Sequence, residues 1–102
     1  MQALSPLDGR YRAKVEALAA YFSEEALNRA RAEVEIRYFI SLSKESGVKQ
    51  LPKVTASQEK ALHAIYKKFS TKDAAEIKTI EKTTNHDVKA VEYFLKKKVA
   101  KI

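Results

Sequence analysis

The stretch SEEALNRARAEVEIRYF, Ser23–Phe39, decides the fold class of this chain. Ser23 is a favourable helix N-cap, and the two glutamates that follow it suit the positive end of a helix dipole. Two glutamate–arginine pairs, spaced four residues apart with the glutamate first, add stabilising contacts along one side. The stretch therefore predicts a long helix, which Gly47 is predicted to end as the C′ residue.

The sequence before and after this stretch also predicts helices. A shorter helix is expected from about Arg12 to Tyr21. A linker follows the long helix, because Pro52 cannot continue a helix. Beyond the linker, Thr55 and Gln58 have the spacing of a capping box, which predicts another helix start.

Two further helix starts complete the pattern. Ser70 or Thr71 is the predicted cap of the next helix, and the last helix is predicted from about Asp87 onward. No segment alternates apolar and polar residues for long enough to predict a strand. The fold expected for residues 1–102 is therefore a single all-α domain of about five helices joined by short loops.

Composition narrows the class of protein. Of 102 residues, 45% are hydrophobic and 32% are charged, which is typical of one soluble domain. The absence of cysteine excludes disulfides and cysteine-ligated zinc, and the two histidines lie too far apart for a local metal motif. No apolar run reaches the roughly 18–20 residues that span a bilayer, and no secretory signal is visible. We therefore expect a cytoplasmic protein without a membrane partner or a bound metal.

The charge is strongly basic. Lysine and arginine number 20 against 13 acidic residues, a net charge of +7, and four of the surplus charges lie near the end at Lys96, Lys97, Lys98 and Lys101. This balance favours an anionic partner, either nucleic acid or a phosphorylated metabolite. A solvated helix face explains the same lysines without any partner.

The stretch TTNHDVKAVEYF, residues 83–94, contains the first candidate site. Asn85, His86 and Asp87 lie side by side at a predicted helix start, where free backbone N–H groups suit a phosphate or a carboxylate. Either Asn85 or Asp87 is a good N-cap, so helix capping alone also explains the trio.

The stretch DGRYR, residues 8–12, is the second candidate. Asp8 and Gly9 predict a turn from which Arg10 and Tyr11 project. An arginine can hold a phosphate or carboxylate through two hydrogen bonds, and a tyrosine hydroxyl can donate to the same group. The competing explanation is an ordinary exposed arginine on a surface loop.

Two longer motifs carry a resemblance to a known family. LSPLDGRY at residues 4–11 and IKTIEKTTNHDVKAVEYFLK at residues 77–96 resemble the N-terminal domain of the adenylosuccinate lyase family, within the fumarase/aspartase superfamily. The intervening FSEEALNRARAEVEIRYF is similar to the same domain, so the resemblance covers essentially the whole chain. It implies a lyase of purine biosynthesis that releases fumarate from adenylosuccinate to give AMP, and from the succinylated aminoimidazole carboxamide ribotide, without cofactor or metal.

The resemblance also implies roles for individual residues. Arg10 and Tyr11 would contact the substrate, at its phosphate end, and Asn85, His86 and Asp87 would form another part of the same pocket. The family's general acid and general base lie in later regions, so no catalytic residue is expected in this chain. The chain would then be the N-terminal domain of a longer homotetrameric lyase, without its central helical bundle and C-terminal domain, and inactive alone.

Two alternatives to the lyase interpretation stay open at this point. The first is a small basic helical module that binds nucleic acid, which the net charge favours. The second is a helical interaction domain that binds a protein partner through an exposed apolar stripe of Val91, Leu95 and Val99.

Overall fold

The computed structural model describes residues 2–45, 47 and 50–102, and these residues form helices and connecting loops without a strand. The all-α prediction is confirmed. The helices are α1 (Arg12–Val15), α2 (Ala19–Phe22), α3 (Glu24–Ser43), α4 (Ala56–Lys67), α5 (Thr71–Thr84) and α6 (Asp87–Val99), with a 3₁₀ turn (Glu16–Leu18) between α1 and α2. Because α1, the 3₁₀ turn and α2 follow one another directly, they correspond to the single short helix that the sequence predicts.

The predicted helix starts are confirmed at three caps. Ser23 Oγ accepts a hydrogen bond from the Ala26 N–H at 3.1 Å. Thr55 and Gln58 form the full capping box, with N–H to side-chain distances of 3.0 and 3.1 Å. Ser70, rather than Thr71, caps α5 and forms a second capping box with Asp73. Each cap satisfies backbone donors that the first turn of a helix leaves free.

The end of α3 differs from the sequence prediction. The helix ends at Ser43, with Lys44 as a right-handed C-cap, so the assignment of Gly47 as its C′ residue is wrong. Ser43 Oγ donates to the Ile40 carbonyl at 2.6 Å, and the Lys44 N–H bonds to the carbonyls of Ile40 and Ser41. These short-range bonds tighten and close the last turn before the glycine is reached.

The predicted linker around Pro52 contains no helix in its described part, residues 50–54.

Helices α3, α4, α5 and α6 pack together, and we call them the four-helix core. Helix α6 packs on α5 and on α3, while α4 packs on α3. Among the described residues, the buried apolar side chains all come from these four helices: Ala32, Ile36, Ile40, Leu62, Tyr66, Ile77, Ala90, Val91, Phe94 and Leu95.

The packing of α6 excludes one of the partner surfaces expected from the sequence. Val91 is 0% exposed, Leu95 is 7% exposed, and Val99 is partly buried against the same core. The prediction that these three residues form an exposed partner stripe is therefore wrong. They belong to the core face of α6, the helix that packs on α3 and α5.

Residues 2–22 form an N-terminal arm that includes α1 and α2, and α2 contacts α3. None of the arm's residues is buried, and Leu4, Tyr21 and Phe22 are more than three-quarters exposed. The arm lengthens the molecule, which measures 56 × 29 × 23 Å with a radius of gyration of 16.8 Å. A compact chain of this length has a radius of gyration of about 13 Å. Among the helices of the described residues, none is long and apolar enough to cross a bilayer.

Candidate functional site

The junction between α5 and α6 is built around Asn85. This residue is the C-cap of α5 and adopts a left-handed conformation with φ = 53°, and its N–H bonds to the Glu81 carbonyl at 2.7 Å. Asparagine tolerates this conformation better than most residues other than glycine. Asn85 therefore ends α5 and turns the chain so that α6 can begin two residues later.

His86 is the N-cap of α6, which corrects the prediction that Asn85 or Asp87 has this role. Its Nδ1 atom accepts a hydrogen bond from the Lys89 N–H at 3.2 Å. The Thr84 hydroxyl group accepts from the His86 N–H at 3.3 Å and donates to the His86 carbonyl at 3.1 Å. Asn85 is used for the turn and Asp87 is already the first residue of the helix, so the imidazole takes the capping position.

Asp87 ties the start of α6 to α3. One carboxylate oxygen, Oδ1, accepts from the Val88 N–H at 2.8 Å, and the other, Oδ2, pairs with Arg31 Nη2 at 3.1 Å. The pKa of Asp87 is lowered below its ordinary value of 3.8, first by the Val88 N–H and then by the positive charge of Arg31. The carboxylate is therefore ionised at neutral pH and already holds two partners.

Arg31 is the neighbour of this site that sequence reasoning missed. Its side chain is 27% exposed and reaches from the middle of α3 to the first residue of α6. In the sequence it is one of several charged residues on a long helix, and no local signal distinguishes it. Only the packing of α3 against α6 brings it to Asp87.

In the arm, the loop before α1 is closed by Asp8. Asp8 Oδ1 accepts from the Ser5 N–H at 2.8 Å and Oδ2 accepts from the Leu4 N–H at 3.2 Å. These N–H groups, that of Ser5 first, lower the pKa of Asp8 below 3.8. Gly9 is required for a close approach, because a Cβ atom at this position would lie 2.8 Å from the Cβ atom of Ala3. The predicted turn is confirmed.

Arg10 and Tyr11 follow this loop and contact each other. The Arg10 guanidinium lies 5.3 Å from the centroid of the Tyr11 ring, and Lys14 Nζ lies 6.0 Å from the same ring, both within the range of a cation–π contact. Tyr11 is 39% exposed. Within the described part of the chain no carboxylate pairs with Arg10, so its guanidinium group is available to an anionic ligand.

The structure therefore brings the candidate residues together in two groups. Asn85, His86 and Asp87 share the α5–α6 junction, and Arg10 and Tyr11 share the arm. Over residues 2–45, 47 and 50–102, no hydrogen bond or ion pair joins the two groups. That both groups line one pocket stays a prediction.

An apolar groove elsewhere on the surface contains none of these five residues. It has a volume of about 450 Å³ and lies between α3, α4 and α6, where Phe39, Leu62, Leu95 and Val99 line it. Its apolar lining does not suit a phosphate or a dicarboxylate.

The described residues also contain no group of three or more histidine and acidic side chains that could hold a metal ion.

Comparison with known proteins identifies the relatives of the chain, although no protein-family model matches it. The adenylosuccinate lyase of Escherichia coli strain K12 is 53% identical over 102 residues, which are 100% of this chain and 22% of the relative. The adenylosuccinate lyases of Dictyostelium discoideum and Haemophilus influenzae are 54% and 48% identical over 100 and 99 residues, which are 97% of this chain and, again, 22% of each relative.

The chain is homologous to the N-terminal fifth of adenylosuccinate lyases. The resemblance based on residues 4–11 and 77–96 is thereby confirmed. The chain spans about a fifth of the length of the curated relatives that it matches. The activity of those whole enzymes is therefore only proposed for this chain.

Proposed function

We propose that this chain is the substrate-binding N-terminal part of an adenylosuccinate lyase. The reaction is the elimination of fumarate from adenylosuccinate to give AMP, and from the succinylated aminoimidazole carboxamide ribotide in purine biosynthesis. The observation that carries this proposal is the 53% identity to the Escherichia coli enzyme along the entire chain. Identity at this level over all 102 residues supports a shared function and not only a shared fold.

Within that reaction, the proposed substrate contacts are Arg10, Tyr11, Asn85, His86 and Asp87. The geometry supports unequal contributions from them. Arg10 offers an exposed guanidinium group beside the Tyr11 ring, and His86 offers an imidazole whose side chain is 63% exposed. Asp87 already holds Arg31 and the Val88 N–H, so its role is to orient the junction more than to bind directly.

The proposal includes no catalytic residue in this chain. Elimination requires a general acid and a general base aligned on the substrate, and the resemblance places both in later regions of the family's enzymes. We therefore expect the 102-residue chain to bind substrate groups without turnover. Assembly of the longer enzyme into a homotetramer, a cytoplasmic location and a reaction without cofactor or metal belong to the same proposal.

Two measurements test this function. First, the native gene product that contains this chain is purified, its mass is determined, and fumarate release from adenylosuccinate is followed. Release by a product several times larger than this chain supports the proposal, and a pure product without lyase activity contradicts it. Second, the 102-residue chain is incubated with adenylosuccinate, and AMP formation above the rate in buffer contradicts its expected inertness.

A nucleic-acid-binding module is the second candidate, based on the net charge of +7. The lysines near the end of the sequence are less available to a nucleic acid than their number suggests. Lys97 pairs with Glu76 at 3.1 Å, and Lys98 pairs with Asp73 at 3.6 Å, both across to α5. Two of the four terminal lysines thus support the packing of α6 on α5, so we propose no nucleic acid partner. Strongly salt-dependent binding to generic DNA or RNA would favour this second candidate instead.

A further inference from the structure

The capping hydrogen bond of His86 determines where its imidazole can carry a proton. Nδ1 accepts the Lys89 N–H at 3.2 Å. A ring nitrogen that accepts a hydrogen bond uses its lone pair and carries no hydrogen of its own, and a neutral imidazole carries one hydrogen in total. In this geometry the hydrogen of the neutral ring is therefore on Nε2.

The groups around Nδ1 do not compete with this arrangement. The nearest carboxylate oxygen is Asp87 Oδ1, 3.9 Å from Nδ1, which is too far for a hydrogen bond. That oxygen already accepts from the Val88 N–H, and the second oxygen pairs with Arg31. The Thr84 hydroxyl group bonds to both the N–H and the carbonyl group of His86. The imidazole is thus held with Nδ1 directed at the helix.

The opposite nitrogen is the one that a ligand can reach. The His86 side chain is 63% exposed, and in the described part of the chain no hydrogen bond involves Nε2. We propose that His86 acts in the substrate site as a hydrogen-bond donor through Nε2–H, and that the Lys89 backbone N–H is the positioning group that selects this tautomer. The group recognised there is an oxygen acceptor, either a phosphate or a carboxylate of the substrate.

This role has a chemical consequence for the elimination. A ring whose Nδ1 lone pair accepts the Lys89 N–H, and whose Nε2 carries the hydrogen, has no free lone pair with which to remove a proton. His86 can act as a base only after α6 loses its cap. The geometry thus makes His86 a binding and orienting residue. The substrate part of this inference rests on the proposed function, whereas the tautomer does not.

The tautomer is measured on the full 102-residue chain with ¹⁵N-labelled histidine. Long-range ¹H–¹⁵N spectra are recorded at successively higher pH until they no longer change, so that the neutral ring is observed. His86→Asn identifies the His86 signals by their loss, which separates them from those of His63. The expected spectrum has an unprotonated Nδ1 and a protonated Nε2, and a protonated Nδ1 overturns the proposal.

A free imidazole also favours the Nε2–H form, so the decisive comparison uses two variants. Lys89→Pro removes the donor at a helix position whose N–H has no intrahelical partner, and Lys89→Ala keeps it. Loss of one hydrogen bond predicts about a fivefold rise in the ratio of Nδ1–H to Nε2–H in Lys89→Pro relative to Lys89→Ala. Equal ratios in two folded variants overturn the proposal.

Lys89→Pro can also destabilise α6, so a second measurement uses the unsubstituted chain. Scalar coupling between the Lys89 amide nitrogen and His86 Nδ1, transmitted through the hydrogen bond, is expected in it. Absence of this coupling in the folded protein, at a temperature where other capping N–H groups are protected, contradicts the cap and with it the proposal.

Inorganic phosphate and fumarate then probe the ligand. A shift of the His86 Nε2–H signal with phosphate alone assigns the position to a phosphate, and a shift with fumarate alone assigns it to a carboxylate. No shift with either probe at saturating concentration overturns the ligand part while the tautomer part stands. Failure of the proposed lyase function would appear separately, as a native product without fumarate release.

Discussion

The four-helix core and the N-terminal arm hold their candidate residues in place by different means. In the core, the α5–α6 junction is anchored by tertiary contacts, since Arg31 on α3 reaches Asp87 and the buried face of α6 packs beneath it. In the arm, the loop that carries Arg10 is closed by hydrogen bonds between residues at most five apart, such as Tyr11 N–H to the Pro6 carbonyl at 2.8 Å. Unfolding of the core would therefore release the junction, whereas the loop in the arm depends on local bonds alone and can open while the core stays folded.

The core and the arm also differ in how far they bury their apolar side chains. Phe94 in the core is 0% exposed, whereas Phe22 in the arm is 82% exposed, although both are phenylalanines on helices. Burial of a side chain of this size contributes about 1.5–3 kcal/mol, and an exposed one contributes almost none of this. The global stability of the chain thus depends on the core, and the arm is expected to open locally at lower cost.

The largest predicted effect separates these two regions directly. Phe94→Ala removes a fully buried ring that also makes an edge-to-face contact with Phe69, at a centroid distance of 6.0 Å. We expect a loss of about 3–5 kcal/mol in the free energy of unfolding. Phe22→Ala is the matched control in the arm and should change it by less than about 0.5 kcal/mol. Urea denaturation followed by far-UV circular dichroism measures both, and similar losses would show that the arm shares the core.

The next largest effect is on enzymatic activity, and it tests whether the core and the arm both contribute residues to one substrate site. In the proposed full-length lyase, His86→Ala in the core and Arg10→Ala in the arm should each lower kcat/KM by at least tenfold. Each change would remove one of the proposed polar contacts to the substrate, and a hydrogen bond to a charged group contributes about 1.5–3 kcal/mol. Wild-type kinetics in the Arg10 variant alone would place the site in the core only, and wild-type kinetics in both would refute the proposed contacts.

A smaller effect, on the free energy of unfolding, is expected from loss of the His86 cap. It distinguishes the capping role of His86 from its proposed role in substrate binding. His86→Ala removes the acceptor for the Lys89 N–H and should lower the free energy of unfolding by about 1 kcal/mol. His86→Asn is the matched control, because the asparagine oxygen can accept the same N–H, and it should lose only a few tenths of this amount. Thermal or urea denaturation of the isolated chain provides the comparison. Equal losses in the two variants would mean that the imidazole stabilises α6 by something other than its cap.

The same comparison explains what sequence reasoning could and could not reach. The caps at Ser23, Thr55 and Ser70 were predictable because each cap and its partner lie within three residues. The cap of α6 was assigned wrongly because asparagine, histidine and aspartate can all accept the N–H. Which one does so depends on the left-handed turn at Asn85.

The remaining misses depend on contacts between distant parts of the chain. The pairing of Arg31 with Asp87 has no local signature, and it follows only from the packing of α3 on α6. The same packing buries Val91 and Leu95, which an apolar stripe alone does not reveal. Residues of the candidate site could be found by resemblance in the sequence, but their supporting contacts required the tertiary structure.

The smallest predicted effect is the pH dependence of the contact between α3 and α6. The folded-state pKa of Asp87 is lowered, so its carboxylate stabilises the folded chain above the ordinary pKa of 3.8, which is taken for the unfolded chain. That contribution is lost as the pH falls from there through the lower folded-state value. The effect is small because the carboxylate is exposed and screened by solvent.

Asp87→Asn isolates this contribution, because the amide oxygen can still accept the Val88 N–H while the negative charge opposite Arg31 is lost. The difference in stability between the original chain and the variant should be present at pH 6 and shrink as the solution is acidified below about pH 4. Arg31→Gln should reduce the same difference at pH 6, since the variant retains the carboxylate without its cation. A pH-dependent difference that Arg31→Gln leaves unchanged would mean that Asp87 stabilises the junction only through its hydrogen bond to the Val88 N–H, which also lowers its pKa. The α5–α6 junction would then be held by local bonds, as the loop in the arm is.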